Sequence, residues 1–318
     1  MAKFKVYYTI ELNQVATDIF EANDFEVKLC SHNDEETYVK ELAEFQPDAI
    51  MCRTEPITAA MMDTCTNLKV IGKQGAGLDN IDMDHAAAKG LQVVFAPAGN
   101  ANAVAEHAVL LMLACAKRFN YVDKQFRGGN FLVRMNMENT YELGGKTLGM
   151  IGCGRISQLA MQKCKYGFGM KVIGYDPFLN EEKAAAISST MQFTADLDVL
   201  YANSKYVTIH VPALPSTKGM VGADAFEKMQ DGTVVLNFSR DVLVDDAAMA
   251  EALASGKVAK YVTDFANPAV MAMENTLVLP HLGASTEEAE DNCAKMAVAE
   301  IMDYLENGKK THCVNMKD

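Results

Sequence analysis

Short apolar runs alternate with amphipathic stretches along most of the chain. Phe4–Tyr8, Phe25–Leu29, Ala49–Cys52, 68–71 and 91–95 read as strands, and 14–21, 35–44 and 82–89 as helices between them. The alternation resumes with strands at Thr147–Ile151, 170–175, Tyr206–Ile209, Thr233–Asn237, 259–263 and 277–279. Strands separated by helices predict parallel sheets, and two such series predict a two-domain α/β chain. One helix breaks the amphipathic rule. Residues 102–118 are apolar almost all round, which predicts burial between domains or between subunits, with Asn100 as the cap. Residues 128–139 lack periodicity and read as a loop or arm.

Composition narrows the class. Of 318 residues 49% are apolar and 22% charged, enough to bury a large core, and the net charge of −13 disfavours nucleic acid or an anionic membrane surface as a partner. No apolar stretch reaches membrane-spanning length. Met1-Ala-Lys-Phe-Lys-Val leads straight into a strand, so no signal peptide is expected. Eight cysteines without a CxxC pair read as reduced thiols, which predicts a cytoplasmic protein. No metal site is expected. Cys153 could be oxidisable, but it reads first as a small apolar residue.

The most informative stretch begins at Thr147. A buried strand runs into Gly152-Cys-Gly154, a helix opens near Arg155, and a second strand ends at Asp176. Gly152 and Gly154 allow a tight turn and close approach of a pyrophosphate to backbone N–H groups, with the helix N-terminus facing the anion. Ser157 stands where the third glycine of such loops falls and is small enough for close helix–strand packing. A carboxylate at position 176 accepts from a ribose diol and repels a 2′-phosphate, so NAD is expected over NADP. About 145 residues precede this unit, room for another domain. Arg240, Asp264 and His281 each follow a later strand, at the edge where ligands bind in open α/β sheets.

Several motifs together make the chain resemble the D-isomer-specific 2-hydroxyacid dehydrogenases, and among these the short D-3-phosphoglycerate dehydrogenases. They are Lys73-Gln-Gly-Ala-Gly77-Leu-Asp-Asn-Ile-Asp82, Val104-Ala-Glu-His107, Glu142-Leu-Gly-Gly-Lys-Thr-Leu148, Gly152-Cys-Gly-Arg-Ile156, His210-Val-Pro212, Asn237-Phe-Ser-Arg240 and Pro280-His-Leu-Gly-Ala-Ser-Thr286. The resemblance implies a Rossmann NAD domain, here 99–287, inserted into a flavodoxin-like substrate domain, 1–98 plus 288–318. It also implies that the last helix returns to the first domain, and that the apolar central helix serves a homodimer. By resemblance the cofactor site takes in Ala76, Gly152, Gly154, Arg155, Ile156, Asp176, His210, Val211, Pro212, Phe238, Ser239, Arg240, Asp264, His281, Gly283 and Ala284. The substrate site takes in Arg53, Lys73, Gly75, Ala76, Gly77 and Arg240. Arg240 clamps the carboxylate of a small 2-hydroxy or 2-keto acid, and His281 is the acid/base on its C2 oxygen.

The chain departs from the family pattern in places. Ala269 stands where the family pairs the histidine with a Glu, five residues after Asp264, and Glu274 is the nearest carboxylate in sequence. Lys73 replaces an Arg, and Glu55 lies in the loop where phosphoglycerate enzymes tend to hold a cation. These departures leave phosphoglycerate itself open as substrate. They also admit a non-catalytic NAD(H)-sensing or corepressor-like relative as an alternative, with a formate-dehydrogenase-like enzyme behind it.

Overall fold

The computed structural model describes residues 2–179, 181–188 and 191–314. In chain order the elements are β1 (Phe4–Tyr8), α1 (Gln14–Ala22), β2 (Phe25–Leu29), α2 (Glu35–Phe45), β3 (Ala49–Cys52), α3 (Ala59–Thr64), β4 (Val70–Lys73), α4 (Met83–Ala88) and β5 (Gln92–Phe95). There follow α5 (Ala101–Ala116), α6 (Phe119–Arg127), β6 (Thr147–Ile151), α7 (Arg155–Gln162), β7 (Lys171–Tyr175), α8 (Glu181–Ser188), β8 (Gln192–Phe193), α9 (Leu197–Asn203) and β9 (Tyr206–Ile209). The chain closes with α10 (Ala223–Lys228), β10 (Thr233–Asn237), α11 (Asp246–Ala254), β11 (Val258–Thr263), α12 (Pro268–Ala272), β12 (Thr276–Val278) and α13 (Glu287–Asn307).

Two compact units result. One comprises the chain up to Asn100 and everything from Ser285 on; the other is Ala101–Ala284. In the first, five parallel strands lie in the order β2-β1-β3-β4-β5, which is the flavodoxin-like doubly wound order. One face buries Tyr7, Leu42, Ile50, Met61 and Ile71; the other buries Val6, Phe20, Met51 and Val70 beneath α13. Gly72 has no side chain, and Ile301 of α13 fills the space a Cβ would need. Fully burying an Ile contributes roughly 1.5–3 kcal/mol, so α13 is part of this core. Its start is capped by Thr286, whose hydroxyl accepts from the Ala289 N–H, and its end by Gly308 at φ +66°. Beyond it Cys313 makes an antiparallel bridge to Val94, and His312 bonds Glu300 at 2.7 Å.

The second unit carries a seven-stranded parallel sheet, β12-β11-β10-β9-β6-β7-β8. Read from β8, six strands follow the doubly wound dinucleotide-binding order and β12 extends it. The order reverses between β6 and β9, so the loops at their C-terminal ends diverge and open a crevice. Helix α5 accounts for its own composition: Val104, Ala105, Ala108, Val109, Leu111 and Met112 pack in this unit's core, while Leu110 is 59% exposed.

The observed elements depart from expectation in a few places. The strand expected at 68–71 is Val70–Lys73, because Lys73 can be buried: its ammonium donates to the Arg53 carbonyl and to Asn80 Oδ1. The strand expected at 277–279 is Thr276–Val278, paired with β11 from Tyr261. The apolar helix ends at Ala116; Arg118, at φ +52°, turns the chain into α6. Within the 128–139 arm, a 3₁₀ turn at Val133–Asn136 buries Val133. The two-residue β8 has no periodicity to reveal it.

Candidate active site

The glycine loop of the second unit is built by two different constraints. Gly152 leaves β6 at φ +90°, and a Cβ there would stand 2.7 Å from the His210 carbonyl oxygen. Backbone cannot yield, so only glycine fits. Gly154, at the N-cap of α7, has no heavy atom within 4 Å of where a Cβ would be. Its openness leaves the first turn of α7 approachable by a ligand, whose negative charge the helix N-terminus favours. Arg155 is exposed there, and Ile156 packs against the core. Ser157 does more than fit. Its hydroxyl donates to the Gly152 carbonyl at 2.6 Å and closes the turn.

Asp176 follows β7 and braces the same loop. Its Oδ2 accepts the Cys153 N–H at 2.9 Å and its Oδ1 the Phe178 N–H at 3.0 Å. Cys153 is buried against Met191, and burial pushes its thiol up to about 12, so it has no thiolate character at neutral pH. Across the crevice, His210 follows β9. Its Nε2 lies 3.0 Å from Thr208 Oγ1, while Nδ1 is buried without a hydrogen-bond partner among the described residues. Burial holds the imidazole down to about 4, leaving it neutral. Val211 packs on the core and Pro212 is exposed. The open Gly154 backbone, the helix N-terminus and the carboxylate at the end of β7 fit a dinucleotide.

The next three strand ends carry the other expected residues. After β10, Asn237 organises the loop: its Nδ2 donates to the Arg240 carbonyl at 2.8 Å and its Oδ1 accepts the Ser239 N–H at 3.1 Å. Ser239 Oγ donates to the Ile209 carbonyl, and Arg240 is half-buried beside it. After β11, the Asp264 side chain is 2% exposed and accepts from Gly283 N at 2.6 Å and His107 Nε2 at 3.3 Å. Burial opposes its charged form, but these donors win and hold the carboxyl below its usual range. After β12, His281 sits at φ +57°, its N–H bonded to the Asp264 carbonyl and its ring 5.0 Å from that of Phe265. Gly283 is buried and Ala284 packs on the core. The loops after β6, β7 and β9 to β12 thus open at the carboxyl edge of one parallel sheet.

In the first unit the expected substrate residues are tied to one another. Arg53 Nη2 pairs with Glu290 at 2.6 Å. Glu55 is not a carboxylate presented to a ligand, as its position suggested. It is 4% exposed and accepts from the Arg53 and Thr54 N–H groups and from Thr9 Oγ1. Burial works against its charge, but these bonds keep its carboxyl lowered. Lys73 is held by Arg53 and Asn80, as described above. Gly75, at φ +149°, turns its N–H to the Lys73 carbonyl at 2.9 Å. That leaves the amides of Ala76 and Gly77 as the loop's donors toward an anion.

Ala269 is exposed on α12 and lines a hollow with Asp246, Ala247 and Ala250 of the α11 region. Glu274 is exposed in the turn before β12. Close to His281 stands an aromatic ring, Phe265, which no motif had singled out. Asn237, Thr208 and His107 were also unassigned. The first two are polar residues inside buried strands, and His107 is an ionisable residue on an otherwise apolar helix, which was the readable signal.

Residues 109–283 match a family model described as D-isomer specific 2-hydroxyacid dehydrogenase, NAD binding domain. The chain is 34% identical over 320 residues to the D-3-phosphoglycerate dehydrogenase of Archaeoglobus fulgidus, covering 98% of this chain but 59% of that protein. It is 33% identical over 315 residues to the hydroxypyruvate reductase of Thermotoga maritima, covering 96% of this chain and 99% of that one. A solved D-2-hydroxyisocaproate dehydrogenase superposes with a TM-score of 0.85 at 25% identity, over 98% of this chain and 99% of that one.

Proposed function

Since the chain belongs to the D-isomer specific 2-hydroxyacid dehydrogenase family, we propose that it interconverts a small D-2-hydroxy acid and its 2-keto acid with NAD. The observation that carries this is the placement of Arg240, Asp264 and His281 after successive strands, on the edge that bears the glycine loop. Bound NAD(H) supplies or accepts the hydride at C2. Arg240, whose planar guanidinium matches a carboxylate, binds the substrate carboxylate and polarises the C2 oxygen. His281 delivers the proton to that oxygen in reduction and removes it in oxidation. Asp264 holds the loop from which His281 acts. The first unit is the substrate domain in this reading, with the Ala76 and Gly77 amides as carboxylate donors.

The test is NADH oxidation across 3-phosphohydroxypyruvate, hydroxypyruvate, glyoxylate and branched-chain 2-keto acids. Turnover of at least one is expected. Tight NADH binding with turnover of none would replace the enzyme by a sensor. Because Lys73 and Arg53 are already engaged, unphosphorylated keto acids are the substrates this reading favours.

NAD is expected to exceed NADP at least tenfold in kcat/KM, about 1.4 kcal/mol. Asp176 stands at the ribose position, followed by Pro177, Phe178 and Leu179, with no cation in the next residues to receive a 2′-phosphate. Asp176→Ala should narrow the ratio, and equal use of both cofactors by the wild type would refute the assignment.

The same reading includes a homodimer in the cytoplasm. Leu110, Phe119, Phe126, Phe131, Leu132 and Met135 are exposed on the second unit, Phe131 by 69%. Large exposed apolar side chains in this number suit a face covered by a second copy. Sedimentation should give twice the chain mass, and Leu132→Asp should shift it toward one. No disulfide joins cysteines among the described residues, which suits a reducing compartment. Among the described residues no helix is long and apolar enough to cross a membrane.

A further inference from the structure

We propose that His107 is a positioning residue for this reaction: it fixes the Asp264 carboxylate and, through it, the loop that carries His281. The proposal rests on the reading of His281 as acid/base.

Asp264 holds residues 281–283 from both ends. Its backbone carbonyl accepts the His281 N–H at 2.9 Å, and its Oδ2 accepts the Gly283 N–H at 2.6 Å. Both bonds require the Asp264 side chain and backbone to keep one relative orientation. The carboxylate cannot set that orientation alone. Oδ2 is committed to Gly283, the Leu282 N–H also faces the carboxylate, and His107 Nε2 is the side-chain donor, to Oδ1 at 3.3 Å. A carboxylate only accepts, so Nε2 carries the hydrogen whatever the charge of the ring.

Space reinforces the arrangement. A Cβ on residue 283 would lie 2.8 Å from Asp264 Oδ2 and 3.6 Å from His107 Cδ2, so the loop rests on both side chains. His107 also meets Phe238 edge-on, with ring centroids 5.2 Å apart at 74°. Phe238 lies two residues before Arg240. One imidazole therefore abuts both loops that carry the proposed catalytic pair. It stands on α5, whose buried face is anchored in the core, and is a rigid mount. The need for such support is visible at His281. A non-glycine residue at φ +57° is strained and keeps that conformation only where its surroundings impose it. Without the His107 donor, the buried Asp264 carboxylate loses a partner, and the loop is free to relax.

The experiment compares wild type with His107→Gln, His107→Asn and His107→Leu. Glutamine places an amide N–H at the reach of Nε2, asparagine is too short, and leucine fills the space without donating. The readouts are kcat and KM with the keto acid reduced fastest in the screen above, the NADH dissociation constant by fluorescence, and amide hydrogen exchange of residues 281–284 in the cofactor-free protein. His107→Gln is expected to keep kcat within about threefold. His107→Asn and His107→Leu should lose tenfold to a hundredfold in kcat, the cost of a small misplacement of a reacting group, with NADH affinity within about threefold. In both, residues 281–284 should exchange faster than in wild type and His107→Gln. Wild-type kcat in His107→Asn and His107→Leu, or unchanged exchange in residues 281–284, would overturn the proposal. A His281→Ala enzyme that still turns over would instead remove the acid/base reading, while the exchange result would still report on the loop.

Discussion

Arg240→Ala and His281→Ala should each lower kcat/KM by about two to four orders of magnitude, the usual worth of a positioned charge or proton donor. NADH affinity should stay within a few-fold. Arg240 leaves β10 extended, at φ −150° and ψ 145°, with Asn237 gripping its carbonyl and Ser239 tied to the neighbouring strand. The side chain therefore starts from a fixed stem at the edge of the sheet. Truncating it removes the proposed carboxylate clamp without disturbing the Gly152–Gly154 loop. His281→Ala removes the proposed proton donor and leaves Asp264 and Gly283 bonded as before. Lower kcat/KM with intact NADH binding is the signature of an interaction made with the substrate and its transition state. Stopped-flow NADH titration and steady-state rates separate the two, and near-normal turnover in either variant would remove that residue from the mechanism.

The two glycines of the dinucleotide loop should fail in opposite ways. Gly152→Ala forces a Cβ into the His210 carbonyl at a positive φ. Strain and overpacking together should cost about 2–4 kcal/mol of stability, read as a lowered denaturant midpoint, and NADH binding should be lost with it. Gly154→Val meets open space. The cofactor-free protein should keep its midpoint, while NADH affinity falls at least a hundredfold as the side chain occupies the path to the α7 N-terminus. A stable, NADH-binding Gly152→Ala protein, or a Gly154→Val protein that binds NADH normally, would contradict this division.

That contrast marks what the sequence can and cannot show. Spacing alone reveals that two glycines sit between a strand and a helix, because the turn dictates them. It does not reveal that one answers to internal crowding while the other faces open space at a helix N-terminus, since His210 lies far along the chain. Most strands of both sheets are legible for the same reason as the loop: four or five apolar residues bounded by polar ones are a local signal. Long-range compensation is not local. Lys73 reads as a cation of the substrate site until Asn80 and the Arg53 carbonyl are seen to absorb its charge, which also lengthens β4. Glu55 reads as an obstacle to a phosphate until its carboxylate is seen turned inward to its own loop. His107 and Asp264 are 157 residues apart in sequence, so neither announces the other. Phe265, against the His281 ring, has no pattern to mark it.

The first unit is sewn from both ends of the chain, and this bears on how the protein is made. Until α13 emerges from the ribosome, Val6, Phe20, Met51 and Val70 lack its cover, and the space above Gly72 is empty of Ile301. The whole of Ala101–Ala284 must be synthesised in between, which at typical rates takes on the order of 10–40 s. The second unit is continuous and can mature during that interval. The nascent amino-terminal sheet cannot, so it is the segment most exposed to aggregation and to chaperone capture before translation ends.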